Sequence, residues 1–224
     1  MRTHTILLML VSSLAICSPD MALAQEWKVI SRSDGIQGYT RPSGFPLDEV
    51  RAVGVVSAPL PVLEAVLRDI PAEKRFGYRC AEAYRIDIPG VKSTPDAFPI
   101  YYRMQLPYPV QDRDTIWYVR FSHNPTNGIL KAELHTLDTD FAKHPGVFRM
   151  RRGYAAFTLK SLEQGRTEVD YTAQCDPGGN LPAFLVNMIL QDFAPTTIAK
   201  LRDVAKDMKY TAATRVTTKT PMEQ

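Results

Sequence analysis

Histidine and cysteine are scarce in this chain, four and three among 224 residues. That scarcity removes most catalytic and metal chemistry. His123, His135 and His144 stand in no metal-ligand spacing such as His-x-x-x-His, and the chain has neither a Gly-x-Ser-x-Gly elbow nor a phosphate-cradling glycine loop. Each histidine reads as a surface residue, and no metal or cofactor is expected. Cys17, Cys80 and Cys175 are too few to make a disulfide framework. Charge of one sign is lacking as well, with 27 basic against 24 acidic residues and a net charge of +3. Strand alternation splits the one tight basic cluster, Arg149, Arg151 and Arg152, between two faces, so nothing points to a nucleic-acid partner.

Apolar runs long enough to span a bilayer are also missing. The run from Ile6 to Ile16 follows Met1-Arg2-Thr3-His4 and precedes Ala22-Leu23-Ala24, small residues of the kind a signal peptidase reads. Residues 1–24 therefore read as a cleaved secretory leader, and the expected location is periplasmic or secreted. Bulky Ile16 before Cys17 argues against a lipoprotein. Cleavage removes one basic group, Arg2, and one acidic group, Asp20, so the charge stays at +3. The remaining length suits one domain with a core that needs no staples.

What is present is a succession of short strands. Asp34-Gly35 is a turn leading into a strand, and Glu49 to Ser57 alternates Val50, Ala52, Gly54 and Val56 against Arg51, Val53 and Val55. Ser57-Ala58-Pro59 caps a helix in which Leu60, Leu63, Val66 and Leu67 share a face. Further strands are read over 78–88, 100–106, 115–122, 129–136, 148–159 and 167–175. The turn Asp176-Pro177-Gly178-Gly179-Asn180 then opens a long helix carrying Val186, Ile189, Phe193 and Thr197 on one face, interrupted at Pro195, where a kink is expected. No strand-helix-strand alternation follows residue 70, which excludes a doubly wound parallel sheet. The pattern predicts an α+β helix-grip fold, a curved antiparallel sheet wrapped around a long C-terminal helix. One domain spans 25–210, and 211–224 reads as a flexible tail.

Several segments carry a resemblance. Tyr108-Pro109-Val110-Gln111-Asp112-Arg113-Asp114, Gly146-Val147-Phe148-Arg149-Met150 and Asp176 to Pro182 with Val186-Asn187, in that order, resemble the START lipid-transfer domain. The likeness extends from about Trp27 to Met208. It implies a hydrophobic tunnel holding one lipid, with the C-terminal helix as lid, and a strand order that keeps Cys80 far from Cys175, both unpaired. Sterol-binding members resembling this chain often carry a basic residue six positions after the arginine of the Arg-Asp pair, matched to an acid on the neighbouring strand. Here those positions are Val119 and Ile100, which counts against a steroid-like binding mode.

Alternation then selects the inward side chains. Ile100, Tyr102, Met104 and Leu106 line one strand, and Thr115, Trp117, Val119 and Phe121 the next. Leu130, Ala132 and Leu134 follow, then Phe148, Met150, Arg152 and Tyr154, and finally Val169, Tyr171, Ala173 and Cys175. Such stripes suit an ordinary core as well as a pocket, and only the resemblance favours the pocket. An inward Arg152 needs either a carboxylate partner or a ligand's polar end. Arg113 and Asp114 read as structural turn residues. The expected ligand contacts are thus Tyr102, Met104, Trp117, Val119, Phe121, Met150, Arg152, Tyr154, Tyr171, Ile189, Phe193 and Thr197. The expected partner is one fatty acid, phospholipid or isoprenoid, bound by a monomer in passing contact with a membrane. An enzyme of helix-grip type, a cyclase or hydrolase acting in the same cavity, is the alternative, with Tyr102, Tyr154, Tyr171 and Arg152 as its only candidate groups.

Overall fold

Residues 26–124, 126–179 and 181–217 are described by a computed structural model. The leader over 1–24 and the tail beyond 217 lie outside the described residues. β1 (Lys28–Ser33) and β2 (Ile36–Arg41) form a hairpin around Asp34-Gly35. Both turn residues have positive φ, 51° and 67°, the geometry whose twist matches paired antiparallel strands. β3 (Glu49–Val56) buries Val50, Ala52 and Val56 on the face that alternation selects.

The chain next passes through α1 (Leu60–Arg68), a 3-10 turn at Ile70–Ala72 and α2 (Glu73–Phe76). α1 buries Val62, Leu63, Val66 and Leu67, but Ser57 does not cap it. Its cap is Pro59, whose carbonyl accepts the amides of Val62 at 2.9 Å and Leu63 at 3.4 Å. At four residues, α2 is too short to leave a periodic signal in the sequence. Then come β4 (Cys80–Arg85), β5 (Ala97–Met104), β6 (Arg113–Asn124), β7 (Ile129–Thr136), β8 (Phe148–Arg149), β9 (Arg152–Leu162) and β10 (Arg166–Asp176). They join one curved sheet in the order β1-β2-β3-β10-β9-β7-β6-β5-β4, with the short β8 parallel to β6 and every other pair antiparallel. This is the helix-grip fold that the strand pattern predicts.

α3 (Ala183–Val204) lies on the concave face and continues through Pro195 as one element. Its C-terminal half buries Ala194, Ile198 and Leu201 completely. Two glycines permit that approach. A Cβ on Gly38 would stand 2.9 Å from Pro195 Cγ, and one on Gly54 3.3 Å from Ile198 Cγ2. The end is also tied, because Arg202 donates to the carbonyls of Val55 at 3.0 Å and Asp34 at 2.6 Å. α4 (Met208–Thr217) occupies part of the segment expected as a tail. Tyr210 is buried, and its hydroxyl donates at 2.7 Å to Asp69, which also pairs with Lys209.

One strand departs from expectation. The segment read as continuous over 148–159 is broken into β8 and β9, and the break shifts the alternation by one residue. The inward positions of β9 are Gly153, Ala155, Phe157 and Leu159, whereas Arg152 is exposed and lies over the Phe45 ring at 4.7 Å. The cause is Arg149. Its guanidinium is buried against Asp114, at 2.7 and 3.0 Å, and its remaining donors reach the carbonyls of Thr139, Phe141 and Ala142. Arg149 holds β8 beside β6, so the chain must step across before β9 can pair with β7 and β10. Asp114 thus has a structural role, as the sequence suggested, but as half of a buried pair. Removing one partner of such a pair strands the other charge, which costs about 3–5 kcal/mol. Arg149→Met should therefore lower stability by that amount in urea unfolding, while Arg151→Met, whose partners Asp138 and Asp140 are exposed, should change it little.

Candidate functional site

The N-terminal half of α3 stands off from the sheet, and atom-free space lies beneath it in two lobes. The first, with a cavity volume of about 50 Å³, is walled by Leu47, Met104, Met150, Cys175, Pro177 and Ile189. The second, also with a cavity volume of about 50 Å³, is walled by Glu73, Tyr78, Ile100, Leu134, Phe157 and Thr197. Tyr102, Trp117, Ala155, Tyr171 and Phe193 line both. Aromatic rings make a continuous series through the space: Phe157 stacks on Tyr171 at 4.2 Å, Tyr171 on Phe193 at 6.0 Å, and Phe193 meets Tyr78 at 5.2 Å. Strand alternation puts Tyr102, Met104, Trp117 and Tyr171 on the concave face, and the three-and-four spacing of α3 aims Ile189, Phe193 and Thr197 back at them.

The structure brings together most of the side chains that the sequence nominates and separates the rest. Tyr102, Met104, Trp117, Met150, Tyr171, Ile189, Phe193 and Thr197 all line the cavity. Tyr154 borders it while its ring packs against His135 at 5.0 Å, since the two pair across β9 and β7. Val119 and Phe121 face inward but lie farther along β6, in solid core. There Phe121 stacks on Phe98 at 6.2 Å with the Arg68 guanidinium 4.2 Å from its ring. Arg152 is outside the cavity, for the reason given above. Glu73, Tyr78 and Ala155 were not anticipated. Ala155 follows once the one-residue shift in β9 is known. Glu73 gave no signal, because α2 is only four residues long and carries no period.

The polar groups in the cavity are few, with Asp48 and Gln174 bordering the first lobe. The Tyr102 hydroxyl donates to the Tyr78 carbonyl at 3.1 Å, and Thr197 Oγ1 donates to the Phe193 carbonyl at 2.8 Å. Burial pushes the Tyr102 and Tyr171 phenols well above the ordinary range. It also raises the Cys175 thiol to about 11 and, with a further contribution from the Glu73 charge, the Cys80 thiol to about 12. Among the described residues no cluster of three or more histidine, cysteine, aspartate or glutamate side chains is placed to hold a metal ion, and no helix is long and apolar enough to cross a membrane.

Comparison with known proteins gives a consistent answer. The family model described as START domain matches residues 21–209. An uncharacterized protein of Pseudomonas aeruginosa is 28% identical over 186 residues, covering 83% of this chain and 89% of that one. Among solved structures, the STAR-related lipid transfer protein of Xanthomonas axonopodis (fragment 25–204) superposes with a TM-score of 0.71 at 23% identity, over 81% of this chain and 99% of that one. Human STARD10 superposes with a TM-score of 0.71 at 19% identity, over 86% and 78%.

Cys80 and Cys175 are both free, with Cys175 in the cavity wall. Their strands, β4 and β10, stand five places apart in the sheet, about 24 Å along its surface at about 4.8 Å per strand, whereas a disulfide needs α-carbons within about 7 Å. Only the thiolate alkylates readily, and burial keeps both sulfurs as thiols. Iodoacetamide at pH 8 should modify the native protein slowly at these positions and the urea-unfolded protein quickly at both, read by peptide mass. Fast native labelling would contradict this half-buried placement.

Proposed function

The chain belongs to the START domain family, and on that footing we propose that it binds one lipid in the cavity under α3 and carries it without altering it. The observation that carries this reading is the lining: two small adjoining lobes share Tyr102, Trp117, Ala155, Tyr171 and Phe193 and are walled largely by aromatic rings and methionines, so that a lipid enters as α3 lifts. Methionine and aromatic walls adapt to an apolar chain without offering it a nucleophile or base. A lipid burying about 300 Å² of apolar surface gains about 7 kcal/mol at roughly 25 cal/mol per Å², before the cost of ordering it. The names of the neighbours, STAR-related lipid transfer protein among them, support the same class of ligand. With the leader read over residues 1–24, the proposed setting is the periplasm or the medium.

Closure over a ligand falls to the N-terminal half of α3, since the other half is docked and tied through Arg202. Organic extraction and mass spectrometry of the purified protein should release a lipid. Amides over 181–193 should exchange faster in the delipidated protein than in the loaded one, because the ligand stabilises the closed state. Phe193→Asp places a charge on the cavity wall and should weaken lipid binding at least about a hundredfold, about 2.7 kcal/mol. Exchange equally slow in both states, together with binding that survives Phe193→Asp, would mean the space is a packing defect of a solid core.

A further inference from the structure

Glu73 lines the second lobe, and nothing in the fold uses its carboxyl. It has neither an ion pair nor a hydrogen bond among the described residues, although cations stand next to it in sequence. Arg75 turns away to Asp207 at 2.8 Å, and Lys74 is exposed. Gly77 leaves the carboxyl room, for a Cβ there would lie 2.8 Å from the Glu73 carbonyl oxygen and 2.9 Å from its Oε2. Around it the other polar side chains of the lobe are Tyr78, Trp117, Tyr171, Tyr102, whose hydroxyl is committed to the Tyr78 carbonyl, and Thr197, whose hydroxyl is committed to the Phe193 carbonyl. The residue is half-buried, and a carboxyl there without a protein partner finds its hydrogen bonds either in water or in a ligand seated in the lobe.

We propose that Glu73 is the polar anchor of the cavity, exchanging hydrogen bonds with the hydroxyl head of an uncharged lipid whose chain fills the two lobes. This rests on the reading of the space as a lipid site and adds the head-group class. Among the described residues no cation lines the lobe, so an anionic head has no partner there. Burial holds the Glu73 proton up to about pH 8, and a protonated carboxyl both donates and accepts, which suits a hydroxyl. Among the described residues the other titratable groups facing it are Cys80 from β4, Tyr102 from β5, Tyr171 from β10 and Tyr78 beyond α2, and α3 contributes Phe193 and Thr197 to the lobe. The Cys80 thiol lies at about 12, and the Tyr102 and Tyr171 phenols lie well above the ordinary range. Above about pH 8 the carboxylate must be hydrated, and a lipid head seated there displaces that water. Affinity for an uncharged lipid therefore falls as pH rises through this range.

The test uses the delipidated full chain loaded with N-phenyl-1-naphthylamine, displaced in turn by 1-octadecanol, stearic acid and octadecylamine. Octadecanol should compete best at pH 7, and its affinity should fall at least fivefold between pH 7 and pH 9.5. Glu73→Gln should keep the affinity at pH 7 and lose the pH dependence. Glu73→Leu should bind octadecanol at least tenfold more weakly while binding N-phenyl-1-naphthylamine as before, and should melt at a higher temperature because an unpaired carboxyl is gone. Unchanged octadecanol affinity in Glu73→Leu, or a preference for octadecylamine, would overturn the anchor and leave the cavity standing. Failure of the wild type to bind any of the four compounds would overturn the cavity reading and the anchor with it. Should Glu73→Leu not fold, the pH profiles of wild type and Glu73→Gln decide alone.

Discussion

One helix packed across a wide concave sheet is the constraint on which the rest of the structure depends. α3 cannot touch all of the curved surface, and the glycines decide where it does. Gly38 and Gly54 lack the Cβ atoms that would hold Pro195 and Ile198 away, so the C-terminal half sits directly on β2 and β3. Close contact at that edge leaves the other half standing over β5, β6 and β10, with Ile189 and Phe193 reaching down toward Tyr102, Trp117 and Tyr171. Core and cavity are thus two ends of one packing arrangement. The fully buried Ala194, Ile198 and Leu201 belong to the first, and the aromatic series belongs to the second.

Much of this was legible in the sequence because side-chain alternation is local. β3, β5, β6, β7 and β10 present the inward faces their patterns predict, and the three-and-four spacing on α3 selects the residues that line the cavity. The misreading in β9 has a non-local cause. Arg149 finds its partner Asp114 35 positions earlier in the chain, and the step this forces displaces the alternation by one residue, which moves Arg152 from the cavity to the surface. Val119 and Phe121 were assigned the correct face but the wrong end of it. Alternation tells which side of a sheet a residue is on, not where along the strand the helix departs. α2 and α4 escaped because a four-residue helix has no period to detect, and because Tyr210 is ordered by Asp69, a contact spanning 141 positions.

Two acidic residues show how little sequence says about the fate of a charge. Asp114 is completely buried and fully answered, by a guanidinium whose donors are shared with three backbone carbonyls. Glu73 turns inward with no such answer. The first arrangement fixes strand register, which a buried ion pair does well even where it adds little net stability. The second leaves hydrogen-bonding capacity facing an apolar space. Val119 and Ile100 are buried and apolar, so the carboxyl of the second lobe comes from a short helix beside the sheet and not from its strands.

The Arg202 tether has a mechanical consequence. With its guanidinium held by the carbonyls of Val55 and Asp34, one end of α3 is a pivot. From that pivot to Ala183 the helix is a rigid arm of about 28 Å, at 1.5 Å per residue. A tilt of about 10° at the pivot carries the far tip through about 5 Å, roughly the width of an acyl chain, while displacing atoms near Ile198 by about 1 Å. Leverage of this kind allows a gap to open at the tip while the packed end barely changes its contacts.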